Sequence, residues 1–170
     1  HGDFSVTEPF FDAWDRYPHA IKLLFHGLQV FFFSFAEYSV GTVRLLSLIM
    51  GLFVLLLFFF TLEKICKVSW VAFFFTVIFS FDIQFIYASH FGRQEIYLLL
   101  LFVAAIYILF ASRILSTKKA ILLGVLTGIG IMLHPNSFIL ACMIGCCFLA
   151  SMGYNHCKDF KPLAIYVGVT

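Results

Sequence analysis

The segment 42–62, TVRLLSLIMGLFVLLLFFFTL, holds one charged side chain, Arg44, in 21 consecutive residues. A stretch this apolar and this long has one comfortable home, the interior of a bilayer. There it has one comfortable shape, the α-helix, because no water is present to satisfy an open backbone. About 20 residues at a helical rise cover the hydrocarbon core. Four further segments read the same way: 69–88, SWVAFFFTVIFSFDIQFIYA, with one intruding Asp82; 95–112, EIYLLLLFVAAIYILFAS; and the shorter 120–134 and 137–152, joined at His134-Pro135-Asn136. A sixth starts near Pro162 and fills 162–170. Only 12% of the chain is charged and 24 of its 170 residues are Phe, against roughly 25% charged residues in a soluble domain. The fold expected is therefore an all-α, polytopic helical bundle in a membrane, with 1–170 as a single partial domain and no soluble unit between the spans.

The first 36 residues differ. Segment 1–19 is a polar loop, and 20–36 carries Lys22, His26 and Gln29 in its first three turns. That makes a poor span and a better interfacial helix, lying along the membrane surface. The opening HGDFSVTEPF lacks a basic stretch followed by an apolar core, so it is no signal peptide. The chain begins at His1 without Met and ends in the apolar PLAIYVGVT, and on that ground it reads as part of a longer membrane protein. Its net charge of +2, without a basic tail or cluster, excludes nucleic acid as a partner. The five cysteines fit no zinc spacing, and Cys142, Cys146 and Cys147 serve as small apolar residues of a helix.

Sidedness follows from the basic residues, which favour cytoplasmic connections. With the N-terminal loop outside, the inner connections hold Lys64, Lys67, Arg113, Lys118, Lys119, Lys158 and Lys161, seven of the eleven. Most acids fall outside: Asp3, Glu8, Asp12, Asp15, Glu37 and Glu95. The loop 1–19, the knot Ser89-His90-Phe91-Gly92-Arg93-Gln94-Glu95 and the turn at His134 then share the outer face. Arg and Glu are expensive near hydrocarbon, so their placement two residues apart at the head of an apolar run asks for a purpose.

The stretch RYPHAIKLLFHGLQVFFFSFAEYSVGTVRLLSLIMG resembles the opening of the GT-C polytopic glycosyltransferases. The nearest group joins the dolichyl-phosphate-mannose protein mannosyltransferases with bacterial relatives such as lipid A aminoarabinose transferase. The shared features are a loop proline, here Pro18, an interfacial helix, a break at Ser39 to Gly41, and Arg44-Leu45 opening the next span. HGDFSV is similar to the Gly-Asp-aromatic step of the group's outer loop. YASHFGRQEIYLLLLF looks like its second outer loop, and LLGVLTGIGIMLHPNSFIL like its glycine-spaced helix ending in a turn. The resemblance covers nearly the whole chain. One departure stands out: the group's principal catalytic Asp, just after its first span, would fall upstream of His1. Glu8, Asp12 and Asp15 follow the Gly-Asp step and do not take its place, so this stretch alone is expected to be inactive.

The resemblance implies an inverting transfer of sugar from a polyprenyl-phosphate donor to a lipid, glycan or protein acceptor, at the periplasmic or luminal face. It implies an integral, multi-pass membrane protein among membrane lipids; a bacterial or archaeal cell membrane is the expected location, with the endoplasmic reticulum as the alternative. Such chemistry needs a cation on the departing phosphate, a carboxylate for the acceptor hydroxyl and an apolar groove for the lipid. Arg93 suits the first, with a planar fork that stays charged near lipid; its plainer alternative is snorkelling to headgroups. Glu95 aligns with the acidic residue of the group's second loop, which orients acceptor or in some members binds a divalent metal. Its plainer alternative is a carboxylate favoured by a helix N-terminus. No cofactor is indicated by the residues themselves. Arg16 and His19 are second candidates for phosphate or sugar, set against ordinary surface roles. His134 is a phosphate or sugar contact, or simply a helix terminus beside Pro135. Asp82, an ionisable residue within a span with Gln84 and Tyr87 nearby, is either a site residue or a vestibule wall. The rival reading is a transporter or channel subunit with a polar pathway around Asp82, Arg93 and Glu95; against it, no internal repeat is visible. A purely structural membrane subunit is the third.

Overall fold

The computed structural model describes residues 23–37, 39–111, 116–134, 137–154 and 161–170. Among them the chain forms eight helices: α1 (Leu23–Phe33), α2 (Val40–Cys66), α3 (Ser69–Ser80), α4 (Ile83–His90), α5 (Glu95–Ala111), α6 (Thr117–Leu133), α7 (Phe138–Tyr154) and α8 (Lys161–Val169).

Helices α2 and α6 start where a short polar side chain satisfies one of their first backbone N–H groups. Ser39 accepts from the Thr42 amide at the head of α2, and Ser116 from the Lys119 amide at the head of α6. Helix α2 ends on Lys67, whose left-handed conformation (φ 57°) lets its N–H reach the Glu63 carbonyl. With 27 residues and a mean hydropathy of 2.8 over its most apolar window, α2 is long and apolar enough to cross a membrane. Helix α5, with 17 residues, is about 26 Å long.

The continuous helix expected over 69–88 is not what forms. The chain bends by 68° between α3 and α4, with Phe81 and Asp82 at the break. Two local competitors explain it. The Thr76 and Ser80 hydroxyls bond back to the Ala72 and Val77 carbonyls, a habit that bends helices. The Asp82 carboxylate then accepts the Phe85 amide at 2.9 Å and starts a new helix as its N-cap. Asp82 is thus the cap of α4 at a break between two helices. Helices α3 and α4 together still qualify as one broken span.

Packing fixes which helix ends lie together. Helices α2 and α5 run side by side in the same direction: Lys64 sits over the Tyr107 ring at one end, and Arg44 over the Phe91 ring at the other. Helix α6 returns antiparallel to α5. Lys119 donates from Nζ to the Leu109 carbonyl at 2.7 Å, and a side chain at Gly130 would meet Leu101. Lys64, Lys67, Lys118 and Lys119 therefore share one end of the bundle. Arg44, Arg93 and Glu95 share the other, and His134 joins them because it follows Gly130 by one helical turn.

Two cores result. Phe25, Leu46, Val54, Phe85, Ile96, Tyr97, Val103 and Leu133 form the first; Phe25 anchors α1 to it by an edge-on contact with Tyr97 at 5.4 Å. The second is built from α5, α6, α7 and α8 around Leu123, Ile144, Phe148 and Tyr166. There the Tyr166 hydroxyl donates to the Ala141 carbonyl at 3.1 Å and lies 3.2 Å from Thr127 Oγ1. Helix α8 comes so close to α6 at Gly124 that a Cβ there would sit 3.1 Å from the Tyr166 carbonyl oxygen, the close approach that small residues permit between membrane helices. The outward faces carry Leu52, Trp70, Phe73 and Phe74, all exposed, a surface suited to lipid.

Candidate functional site

The site is built around one turn. Gly92 adopts φ +65°, and a Cβ at that position would run into the Val43 side chain on α2. Glycine is the residue that accepts both the left-handed backbone and the close approach. The turn carries the chain from α4 into α5 and sets Arg93 and Glu95 on the same rim.

Arg93 Nη2 lies 2.8 Å from Glu95 Oε1, with both side chains a little under half exposed (46% and 42%). The guanidinium also rests over the Tyr87 ring, 5.1 Å from its centroid. Tyr87 in turn stacks near Phe91 at 4.7 Å, whose other neighbour is Arg44. Arg93 is therefore held by a carboxylate and an aromatic face, which fixes its plane and leaves part of its donor fork open. Glu95 spends one oxygen on the pair. Its second, Oε2, is buried without a hydrogen-bond partner among the described residues, and so is Gln94 Oε1 beside it. A buried oxygen without a donor costs about 1–3 kcal/mol, and of the two residues Glu95 is the one that lines the adjoining cavity.

A cavity of about 380 Å³ opens here, walled by Asp82, Gln84, Tyr87, Arg93 and Glu95 with Phe79, Phe85 and Leu99 behind them. Its size falls within the range of small-molecule sites. Three residues singled out from sequence, Asp82, Arg93 and Glu95, thus share one chamber, although the first is a helix cap and the other two lie beyond the next helix. His134 is at the same end of the bundle but is not among the walls. It ends α6, giving its N–H to the Gly130 carbonyl and accepting at its own carbonyl from the Ser137 hydroxyl at 2.7 Å. Arg16 and His19 lie outside the described residues. Two carboxylates, Asp82 and Glu95, line the cavity, but no group of three His, Cys, Asp or Glu side chains gathers anywhere among the described residues. These residues by themselves do not make a metal centre.

Gln94 sits beside Glu95 in the chain and Arg44 lies over the Phe91 ring, but neither is among the walls of the cavity. Gln94 gave no signal beyond its place in the polar knot, and the approach of Arg44 to Phe91 joins helices that are distant in sequence. The cavity thus combines a polar rim with paired opposite charges and an apolar wall of Phe79, Phe85 and Leu99.

The sequence model of one family, described as dolichyl-phosphate-mannose-protein mannosyltransferase, matches residues 27–166. No curated protein and no solved structure matches the chain.

Proposed function

The chain belongs to the dolichyl-phosphate-mannose-protein mannosyltransferase family, membrane glycosyltransferases that use a polyprenyl-phosphate-sugar donor, and from that premise we propose that the Arg93–Glu95 cavity is where donor phosphate and acceptor meet, at the non-cytoplasmic face of a bacterial or archaeal cell membrane. The observation that carries the reading is the divided use of Glu95: one oxygen holds Arg93, the other is buried and waiting.

In this reading the sugar's anomeric carbon loses its bond to the phosphate oxygen as the acceptor oxygen bonds to it from the opposite side, with inversion. Negative charge grows on the leaving phosphate, and Arg93, already oriented by Glu95 and Tyr87, donates to it. Fixed donors of this kind gain strength away from water and need no reorganisation as charge develops. Glu95 Oε2 accepts from the acceptor hydroxyl or a sugar hydroxyl and so orients it. The acceptor's proton passes to a different carboxylate, the one that the family resemblance places after the first membrane span. Arg16, His19 and His134 are proposed as outer contacts to the same headgroup, and the seven-to-four distribution of basic residues supports the assignment of this end to the outside.

The test is transfer from a polyprenyl-phosphate-linked sugar by the full-length protein in membranes. Arg93→Ala is expected to lower turnover by about 10²-fold or more, the usual loss on removing a single charge-stabilising donor. Arg93→Lys is expected to recover only part of it, because a point charge lacks the fork. Wild-type rates in Arg93→Ala would end the assignment.

A further inference from the structure

The pole opposite Arg93 has a chemistry of its own. Lys64 and Lys67 reach it from the end of α2, and Lys118 and Lys119 from the start of α6. Lys64 Nζ rests over the Tyr107 ring, 4.7 Å from its centroid, and Lys119 Nζ donates to the Leu109 carbonyl at 2.7 Å. Both contacts fall on the last two turns of α5, so the two ammoniums are close enough to repel each other. Glu63 is the one carboxylate at this pole among the described residues. It accepts from the Ser69 hydroxyl at 2.7 Å rather than pairing with a lysine. Lys118 and Lys119 also stand in the first turn of α6, the end at which a helix dipole disfavours cations. The Leu109 carbonyl offsets that for the buried Lys119. Lys64, Lys67 and Lys118 are exposed and form no ion pair among the described residues.

What adjoins these charges is apolar. Ile65, Val68 and Trp70, next to Lys64 and Lys67 in the chain, are all exposed, Trp70 by 81%. An exposed Trp close to lysines at a helix end marks the level where acyl chains give way to headgroups. We propose that Lys64, Lys67 and Lys118 together bind the phosphate of an anionic phospholipid from the surrounding bilayer. One such anion supplies counter-charge to α2 and α6 at once, and its acyl chains lie along Ile65, Val68 and Trp70. A soluble phosphate would meet the lysines but leave that apolar flank unused, so the lipid is the better complement. The bound lipid clasps the ends of α2 and α6 against α5, where the lysines alone push one another apart. The inference does not depend on the reading of the Arg93–Glu95 cavity, which lies at the other pole.

The experiment follows lipid binding to the full-length protein by native mass spectrometry, with phosphatidylglycerol or phosphatidylcholine of the same acyl chains added from detergent. Wild-type protein is expected to hold phosphatidylglycerol about tenfold or more tightly than phosphatidylcholine. Lys64→Gln, Lys67→Gln and Lys118→Gln change exposed positions and should fold. Each is expected to weaken phosphatidylglycerol binding about fivefold, the scale of one basic residue at an anionic surface, and to leave phosphatidylcholine binding unchanged. Glycerol phosphate, which has the phosphate without the acyl chains, is expected not to displace the lipid. Equal affinity for the two lipids would overturn the proposal, as would wild-type phosphatidylglycerol binding in all three variants. Displacement by glycerol phosphate would also overturn it, by making the cluster a site for soluble anions.

Discussion

Glu95 shows how much one side chain of this protein is asked to do. Its ion pair with Arg93 is nearly half exposed on both sides, and exposed pairs contribute about 0–1 kcal/mol to stability. The pair is therefore worth little as a fold contact and much as a way to aim a guanidinium. Glu95→Gln should separate the two roles. The melting temperature in detergent is expected to stay close to that of wild type, while transfer slows by about tenfold or more as the acceptor loses its charged partner. A melting loss as large as the activity loss would point to a structural carboxylate instead. Gly92 is the opposite case, a residue whose role is steric. Gly92→Ala forces a Cβ into both a left-handed backbone and the Val43 side chain, so a loss of about 1–3 kcal/mol, as in overpacked sites, is expected in thermal unfolding. Arg93 and Glu95 were legible in the sequence as candidates because charge beside an apolar run needs an explanation, and the structure pairs them on one cavity wall. Gln94 was not, because only the fold reveals that its carbonyl oxygen is buried without a donor.

At the scale of elements, the apolar runs announced the helices because the other regular structure that spans a bilayer, a closed β-barrel, needs strands that alternate apolar and polar residues. The break at Phe81–Asp82 was harder to see. Hydropathy continues straight across it, and the information lies in Thr76, Ser80 and Asp82, whose side chains bond to backbone that a continuous helix would use. Asp82 had been read for its charge, whereas its observed contact is a cap on α4. The cap can be tested by itself: Asp82→Ala is expected to cost about 1 kcal/mol in thermal unfolding, and Asp82→Asn, which keeps the accepting oxygen, much less. Equal losses for both would mean that the negative charge, not the cap, sustains the bend. In the second core, Tyr166→Phe removes the hydroxyl that ties α8 to α6 and α7. A loss of about 0.5–1.5 kcal/mol per bond is expected, read as a lower melting temperature without change in donor KM, because that core is remote from the cavity.

The whole molecule is organised by its ends. Basic residues Lys64, Lys67, Lys118 and Lys119 collect at one pole, while Arg44, Arg93, Glu95 and His134 collect at the other, and this follows from the parallel pairing of α2 with α5 and the antiparallel return of α6. The sequence carried the charges, but helix pairing brings them to common levels. Membership of the mannosyltransferase family favours the transferase over a transporter with Asp82 on a polar pathway. The proposed site requires the pole holding Arg93 and His134 to face away from the cytoplasm. The measurement is cysteine substitution at His90, His134, Lys67 and Lys118, one at a time, in full-length protein without native cysteines, followed by labelling of intact cells with a membrane-impermeant maleimide. Label is expected at 90 and 134 in intact cells, and at 67 and 118 only after permeabilisation. Labels at 90 and 134 that require opposite conditions, or that both require permeabilisation, would contradict it.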